Sequence, residues 1–457
     1  MADFASTASK MLKIRFDLQP ASLEPKLQNL FQISAAKIRS IEDTWNPADG
    51  SPVFTKKGRY TSAGWTEWTQ GFQFGSAILQ FDATGESEFL ALGRSRTIAF
   101  MAAHLTHFGV HDHGFNNIST YGNLLRLMNE GHSGEEPWER RFYELALKCS
   151  AAVQAYRWSS TGDGEGYIYS FNGPHSLFVD TIRSLRSLAV GHQLGHVLLD
   201  EHDERISLLE RLVAHLRTTA RYSVYYGEGR DIWDVRGRVA HESIFNTTNG
   251  KYRCPSTQQG YSPFTTWTRG LAWAMCGFAE QLEFFNTLSD QADVMGLMRR
   301  AAQATSDYYI ENTPIDGIPY WDTGAPGLAK LPDWASRQAD PFNPFEPVDS
   351  SAAAIAAQGL LRLGKCLHDD RYWQAGLTIC DALFQEPYLS QDPAHQGLIL
   401  HSVYHRPNGW DHTPDNTGVP RGESSMWGDY HARELGLYLL RVIHNGPYLK
   451  FWGAPPE

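Results

Sequence analysis

Cysteine is scarce in this 457-residue chain, and the five present are scattered. Cys149, Cys254, Cys276, Cys366 and Cys380 form no C-x-x-C pair. The odd count and wide spacing point to reduced thiols in a cytosolic protein. Long apolar runs are missing too. No stretch is long enough to span a bilayer, and residues 1–19 lack the continuous apolar segment of a secretory leader. Positive charge is in deficit: 40 Lys and Arg face 51 Asp and Glu, a net charge of −11. That argues against nucleic acid and anionic membranes as partners. An anionic ligand would need a local cluster of Arg, Lys or backbone donors working against the overall field. No Gly-rich phosphate loop and no G-x-S-x-G elbow stands out.

What is present is apolar and aromatic. Hydrophobic residues make up 42% and charged residues 20%, enough for one large core and unlike a disordered chain. The 14 Trp, 20 Tyr and 23 Phe include several Trp in turn-like stretches, where indole faces could stack on sugar rings. Helical periodicity dominates. Val294, Leu297, Met298, Ala301 and Ala302 build one apolar stripe, with Ser289 and Asp290 as the cap before it. Ile206, Leu209, Leu212, Val213 and Leu216 build another. Similar stripes fall near 24–42, 68–82, 86–108, 118–130, 136–156, 178–198, 265–286, 348–367, 369–385 and 424–443, about twelve helices altogether. Strand signals are sparse, with one small hairpin expected between 222 and 260. Long non-helical stretches at 312–347 and 386–423 read as functional loops. Twelve helices in consecutive pairs suit an all-α, (α/α)6 barrel of six hairpins, although the count alone also permits an open solenoid. No linker divides the chain. We expect one catalytic domain over 1–457, with 1–23 a polar extension.

The densest chemistry is His111-Asp112-His113-Gly114-Phe115. Asp112 could be a helix cap, the commoner fate of such a residue, but flanking imidazoles can orient an acid or share its proton. Asp180 opens another helical run and could also be a cap. Two carboxylates converging on one pocket are the usual equipment for breaking a sugar linkage. An ion pair from Arg183 would lower the pKa of Asp180, whereas Asp112 nearby would raise it. Arg269 sits in Trp267-Thr268-Arg269-Gly270-Leu271-Ala272-Trp273. Such an Arg needs an anionic partner: a buried Asp, or a substrate carboxylate held by its fork. Trp65-Thr66-Glu67-Trp68 could add another wall. His192 and His196 have metal-ligand spacing but lack the H-E-x-x-H glutamate and read as structural. No metal is expected.

These pieces together resemble the unsaturated glucuronyl hydrolases, glycoside hydrolase family 88, and more distantly the unsaturated rhamnogalacturonyl hydrolases. The resemblance rests on Trp68-Thr69-Gln70-Gly71-Phe72, the 111–115 motif, Val179-Asp180-Thr181, Gln259-Gly260-Tyr261, the 267–273 run, the segment from Asp349 to Ala357, and Gly428-Asp429-Tyr430. It spans nearly the whole chain. It implies an (α/α)6 barrel and an unsaturated-uronate oligosaccharide as substrate. It implies hydration of the C4=C5 double bond without metal or organic cofactor. By motif, Asp180 matches the general acid/base and Asp112 the essential neighbouring aspartate. His111, Trp68, His241, Gln259, Trp267, Arg269 and Trp273 match pocket positions. The chain departs from the family after Asp180, where Arg183 and Arg186 replace an Asn-Leu-Pro-like continuation. Two added cations there would favour sulfated or otherwise additional anionic groups on the substrate. Two other readings are a sugar epimerase using His192 and His196, motivated by fold analogy, and an inactive oligosaccharide-binding barrel.

Overall fold

The computed structural model describes residues 12–62, 67–133, 136–289 and 291–453. Trp65, Asp290 and residues 1–11 of the expected extension lie outside them. The remainder of that extension reaches the core: Leu12, Leu18 and Leu23 are buried, and the Leu12 N–H donates to the Ile310 carbonyl at 2.8 Å.

Helices alternate between an outer and an inner ring. In chain order they are α1 (Glu24–Thr44), α2 (Gln70–Thr84), α3 (Ser87–Phe100), α4 (Ala102–Leu105), α5 (His113–Asn117), α6 (Asn123–Asn129), α7 (Pro137–Tyr156), α8 (Thr181–Ser184), α9 (Arg186–Gln193), α10 (Leu208–Tyr222), α11 (Thr268–Phe285), α12 (Ala292–Asn312), α13 (Ser350–Leu367), α14 (Asp370–Leu383) and α15 (Met426–Ile443). A π-helical turn, Ile118–Gly122, joins α5 to α6. Helix α2 packs on this broken segment, which packs on α8 and α9. Then α8 packs on α11, α11 on α13, α13 on α15, and α15 returns to α2. The ring therefore closes, which decides for the (α/α)6 barrel over the open solenoid. Helices α1, α3, α7, α10, α12 and α14 cover it from outside.

Sequence explains which helix goes where. Helix α11 and the run from Ser350 to Gly364 in α13 are buried almost all round, as helices without a polar face must be. Outer helices keep an exposed face over part of their length, as in the first half of α12, where Val294, Met298, Ala301 and Ala302 are the buried stripe. The expected run near 86–108 splits at Met101 into α3 and α4. The run near 178–198 splits as well. It opens as a strand, Ser176–Phe178, and its helix breaks at Leu185.

That strand matters for the site. It pairs antiparallel with Glu242–Phe245, which pairs in turn with Tyr252–Ser256, the hairpin expected from the sequence. Phe178 lies opposite Glu242, and Glu242 opposite Ser256. The register thus brings the residues after 178, before 242 and after 256 to one end of the sheet.

Candidate active site

Each inner segment begins at the same mouth. Asp112 precedes α5, Asp180 precedes α8, Trp267 precedes α11, Asp349 precedes α13 and Ser425 precedes α15, while Trp68 lies just ahead of α2. The positive ends of the helix dipoles converge there. They supply locally what the net negative charge denies globally.

The two aspartates meet around one imidazole. His111 Nε2 lies 3.6 Å from Asp112 Oδ1 and 3.6 Å from Asp180 Oδ1. All three side chains are buried. Neither carboxylate makes a cap hydrogen bond to its helix, so the capping role does not apply. Gly114 is what permits the approach. A Cβ there would sit 2.1 Å from the Ser184 carbonyl oxygen, and the Gly114 N–H donates to Ser184 Oγ at 2.8 Å. The glycine of the motif serves close packing of α5 on α8, not flexibility.

Burial pushes Asp112 up, and the charge on Asp180 adds to this against the pull of His111, Arg157 and His107. Burial would also raise Asp180, but His111 and His241 more than offset it and hold that carboxyl below its ordinary range. Burial opposes charge on His111, yet Asp112 and Asp180 outweigh it and raise the imidazole. Arg183 takes no part. It pairs with Glu280 at 2.6 Å and Glu434 at 2.8 Å, deep in the barrel. Arg186 shares Glu434 at 3.4 Å and donates to the Gly114 carbonyl at 3.2 Å. Both arginines are fully buried. The expectation that they would favour a sulfated substrate is therefore corrected: they neutralise buried glutamates behind the site.

His241 is delivered by the sheet. The Val179 N–H donates to the His241 carbonyl at 2.9 Å, which sets Asp180 beside the imidazole. The Gln258 N–H donates to His241 Nδ1 at 3.1 Å. The proton of the neutral ring therefore sits on Nε2. That Nε2 is buried without a protein partner, and burial brings the His241 pKa down to about 4.

The aromatic walls follow. Trp68 stacks on Trp427 at 5.1 Å and leans on Phe115 at 6.2 Å. Trp267 packs against His241 at 4.7 Å. Trp273 lies deeper, between Phe115 and His431. Arg269 is held between two indoles, Trp267 and Trp427, each 4.7 Å away; Trp273, the other indole of the 267–273 run, is not one of them. Its guanidinium pairs with Asp349 at 3.3 Å and donates to Gln259 Oε1 at 2.7 Å, to the Tyr404 carbonyl at 2.8 Å and to the Val403 carbonyl. The fork is thus committed to a buried Asp and to the loops carrying Gln259 and Tyr404.

Several pocket residues escaped the sequence reading. Trp427 stands directly before the Gly428-Asp429-Tyr430 motif but was not itself read as part of the pocket. Its neighbour Asp429 is structural, accepting from the Leu398 and Ile399 N–H groups. His405 packs on Trp410 at 4.6 Å, and its backbone N–H donates to Asp411 at 3.0 Å. Burial, Arg269 and His241 bring the His405 pKa down to about 4. His192 lies at the far end of α9, on the opposite face of the barrel from the mouth, with His196 just beyond it. The epimerase reading, which needs those two histidines in the pocket, fails on that placement.

His111, Asp112 and Asp180 can bring one ligand atom each within 4.8 Å of one another. A histidine that binds metal almost always donates its second ring N–H to a carboxylate, a backbone carbonyl or water. No protein group meets His111 Nδ1.

No protein-family model matches the chain. Curated relatives do. An unsaturated glucuronyl hydrolase of Bacillus sp. (strain GL1) is 27% identical over 90% of this chain and 95% of its own. One from Formosa agariphila is 25% identical over 80% of this chain and 78% of its own. The crystal structure of the Bacillus sp. GL1 unsaturated glucuronyl hydrolase, described as responsible for degradation of glycosaminoglycan, superposes with a TM-score of 0.69. The superposition covers 92% of this chain and 96% of that one at 23% identity. The resemblance drawn from the motifs holds: over most of its length this chain is similar to the unsaturated glucuronyl hydrolases.

Proposed function

We propose that the protein releases a terminal Δ4,5-unsaturated uronic acid from lyase-generated oligosaccharides by hydrating the C4=C5 bond, as a member of glycoside hydrolase family 88. The observation that supports this most is the pair of buried, uncapped carboxylates sharing His111. An enol ether needs one proton to become reactive. A positioned acid contributes roughly 10²–10⁴-fold.

Asp180 is the proton donor to C4. The three groups interact as one cluster, so the proton that Asp180 delivers is held within it, with Asp112 the carboxyl that burial and the Asp180 charge push up. Water adds to C5 and loses its proton to the Asp180 carboxylate. The hemiketal then collapses, the glycosidic bond breaks, and a 4-deoxy-5-keto uronate leaves with the shortened sugar. His241 Nε2–H is a neutral donor toward the acid. Trp68, Trp267 and Trp273 wall the ring, and Arg269 positions Gln259. The helix N-termini at the mouth draw the uronate carboxylate. Among the described residues no helix is long and apolar enough to cross a membrane. Five free cysteines support a cytoplasmic location.

The test is the near-ultraviolet band of an unsaturated disaccharide. Enzyme should bleach it, and Asp180→Asn should slow bleaching about 10²–10⁴-fold with the fold intact. Substrate binding without bleaching by the unaltered protein, at any pH, would leave only the binding-protein reading.

A further inference from the structure

His215 belongs to no motif and stands on outer helix α10, yet it is fully buried. Its Nδ1 accepts the Ile168 N–H at 3.0 Å. The ring proton is therefore on Nε2. That N–H is buried without a protein partner. Such a donor is costly to leave unmade. Helix α10 packs on α7, α8 and α9, the elements that frame the aspartate pair.

His111 presents the matching lack. Its Nε2 faces Asp112 and Asp180, so Nδ1 points away from them, and no protein donor meets it. The two imidazoles lie within electrostatic reach of each other, and His215 also senses Asp180. Burial holds His215 neutral, near a pKa of about 3.

We propose that His215 is a positioning residue whose Nε2–H is directed at His111 Nδ1 across one water, so that His111 is held against taking a second proton. This rests on the hydrolase reading. Within the cluster, an imidazolium at His111 would keep both carboxylates ionised and leave no acid for C4. A donor aimed at Nδ1 penalises that form and leaves the mobile proton on a carboxyl. The other groups facing His111 are Asp112, Asp180 and Arg157; His241 faces Asp180, and His107 faces Asp112. Arg157 disfavours the imidazolium too, but its guanidinium is committed to the carbonyls of Tyr169, Ser170 and Phe108.

The experiment compares His215→Gln, which keeps an N–H near the Nε2 position, with the near-isosteric His215→Met, which removes it. The Met variant should lose about tenfold in kcat for one pKa unit of bias, with KM nearly unchanged. The alkaline limb of its pH profile should move upward, because the cluster gains a more basic site. The Gln variant should behave like the unaltered enzyme. Equal losses in both variants, or a lower plateau with an unmoved limb, would mean that His215 only packs. Nitrogen NMR of labelled histidines in the unaltered protein adds a readout that needs neither activity nor a folded variant. His111 Nδ1 should be unprotonated and His215 Nε2 protonated. A protonated His111 Nδ1 overturns the proposal. Absence of any bleaching by the unaltered enzyme sinks the hydrolase reading instead.

Discussion

Gly114 lies so close to Ser184 that a Cβ would stand 2.1 Å from the Ser184 carbonyl oxygen. This contact presses the segment carrying Asp112 onto the one carrying Asp180. The clash is with backbone, which cannot swing aside. Gly114→Ala should therefore push α5 from α8 and part the carboxylates. Misplacing reacting groups by about 1 Å can cost about 10²-fold. We expect at least that loss in kcat/KM, together with a lower melting temperature. Wild-type kcat/KM in Gly114→Ala would show that the separation is not critical.

Buried neutral histidines should set the acid limit of stability. Burial depresses His113, His241, His401 and His405 to about 4, and His215 and His431 to about 3. An unfolded histidine titrates near about 6.5. The unfolded chain then binds more protons than the native one once the pH drops below that value. The stability present above about pH 6.5 should be lost as the pH falls toward about 4, and unfolding should take up several protons. Urea titrations across this window measure the slope. A flat profile would mean that these rings charge without unfolding.

The barrel was legible because its helices advertise themselves by period. The stripe in α12 and the run near 348–367 gave two of the roughly twelve expected helices directly, but which ring each joins came only from the packing. The aspartate pair was legible as motif, but its geometry was not. The register of Phe178 on Glu242, which brings His241 to Asp180, depends on three short strands with little strand signal. His215 was invisible because nothing in its neighbours along the chain distinguishes it from core, and Trp427 was passed over although it adjoins Gly428-Asp429-Tyr430. Arg183 was misread for the opposite reason: proximity to Asp180 in sequence suggested a shared site, whereas the helix turns the guanidinium inward to Glu280 and Glu434.

Arg269 tests whether a buried arginine grips substrate or structure. Its guanidinium pairs with fully buried Asp349. Removing one partner of such a pair leaves an uncompensated charge and costs about 3–5 kcal/mol. Arg269→Met should lose that much stability in denaturant. Its Gln259 and Tyr404 loops should also loosen, so kcat and KM should both worsen. A raised KM at unchanged stability would restore the substrate fork.

Substrate sulfation should be indifferent to Arg183. The side chain is sealed behind the site by Glu280, Glu434 and Cys276. Arg183→Met should destabilise the fold by breaking a buried ion network. The ratio of kcat/KM between sulfated and unsulfated unsaturated disaccharides should stay constant within about twofold, far below the roughly tenfold that a direct charge contact worth about 1.4 kcal/mol would produce. A collapse of that ratio would place the guanidinium in the substrate's path.

Chelation separates proton chemistry from metal chemistry at the same three side chains. His111, Asp112 and Asp180 converge closely enough to invite a cation. If the cluster works by moving a proton, dialysis against a strong chelator should leave the bleaching rate unchanged, and added zinc should inhibit by occupying the carboxylates. If a bound ion supplies the reactivity, the dialysed enzyme should be inactive and recover on adding back one divalent metal. The two outcomes are opposite in sign at the zinc step, so a single titration of dialysed enzyme with zinc distinguishes them.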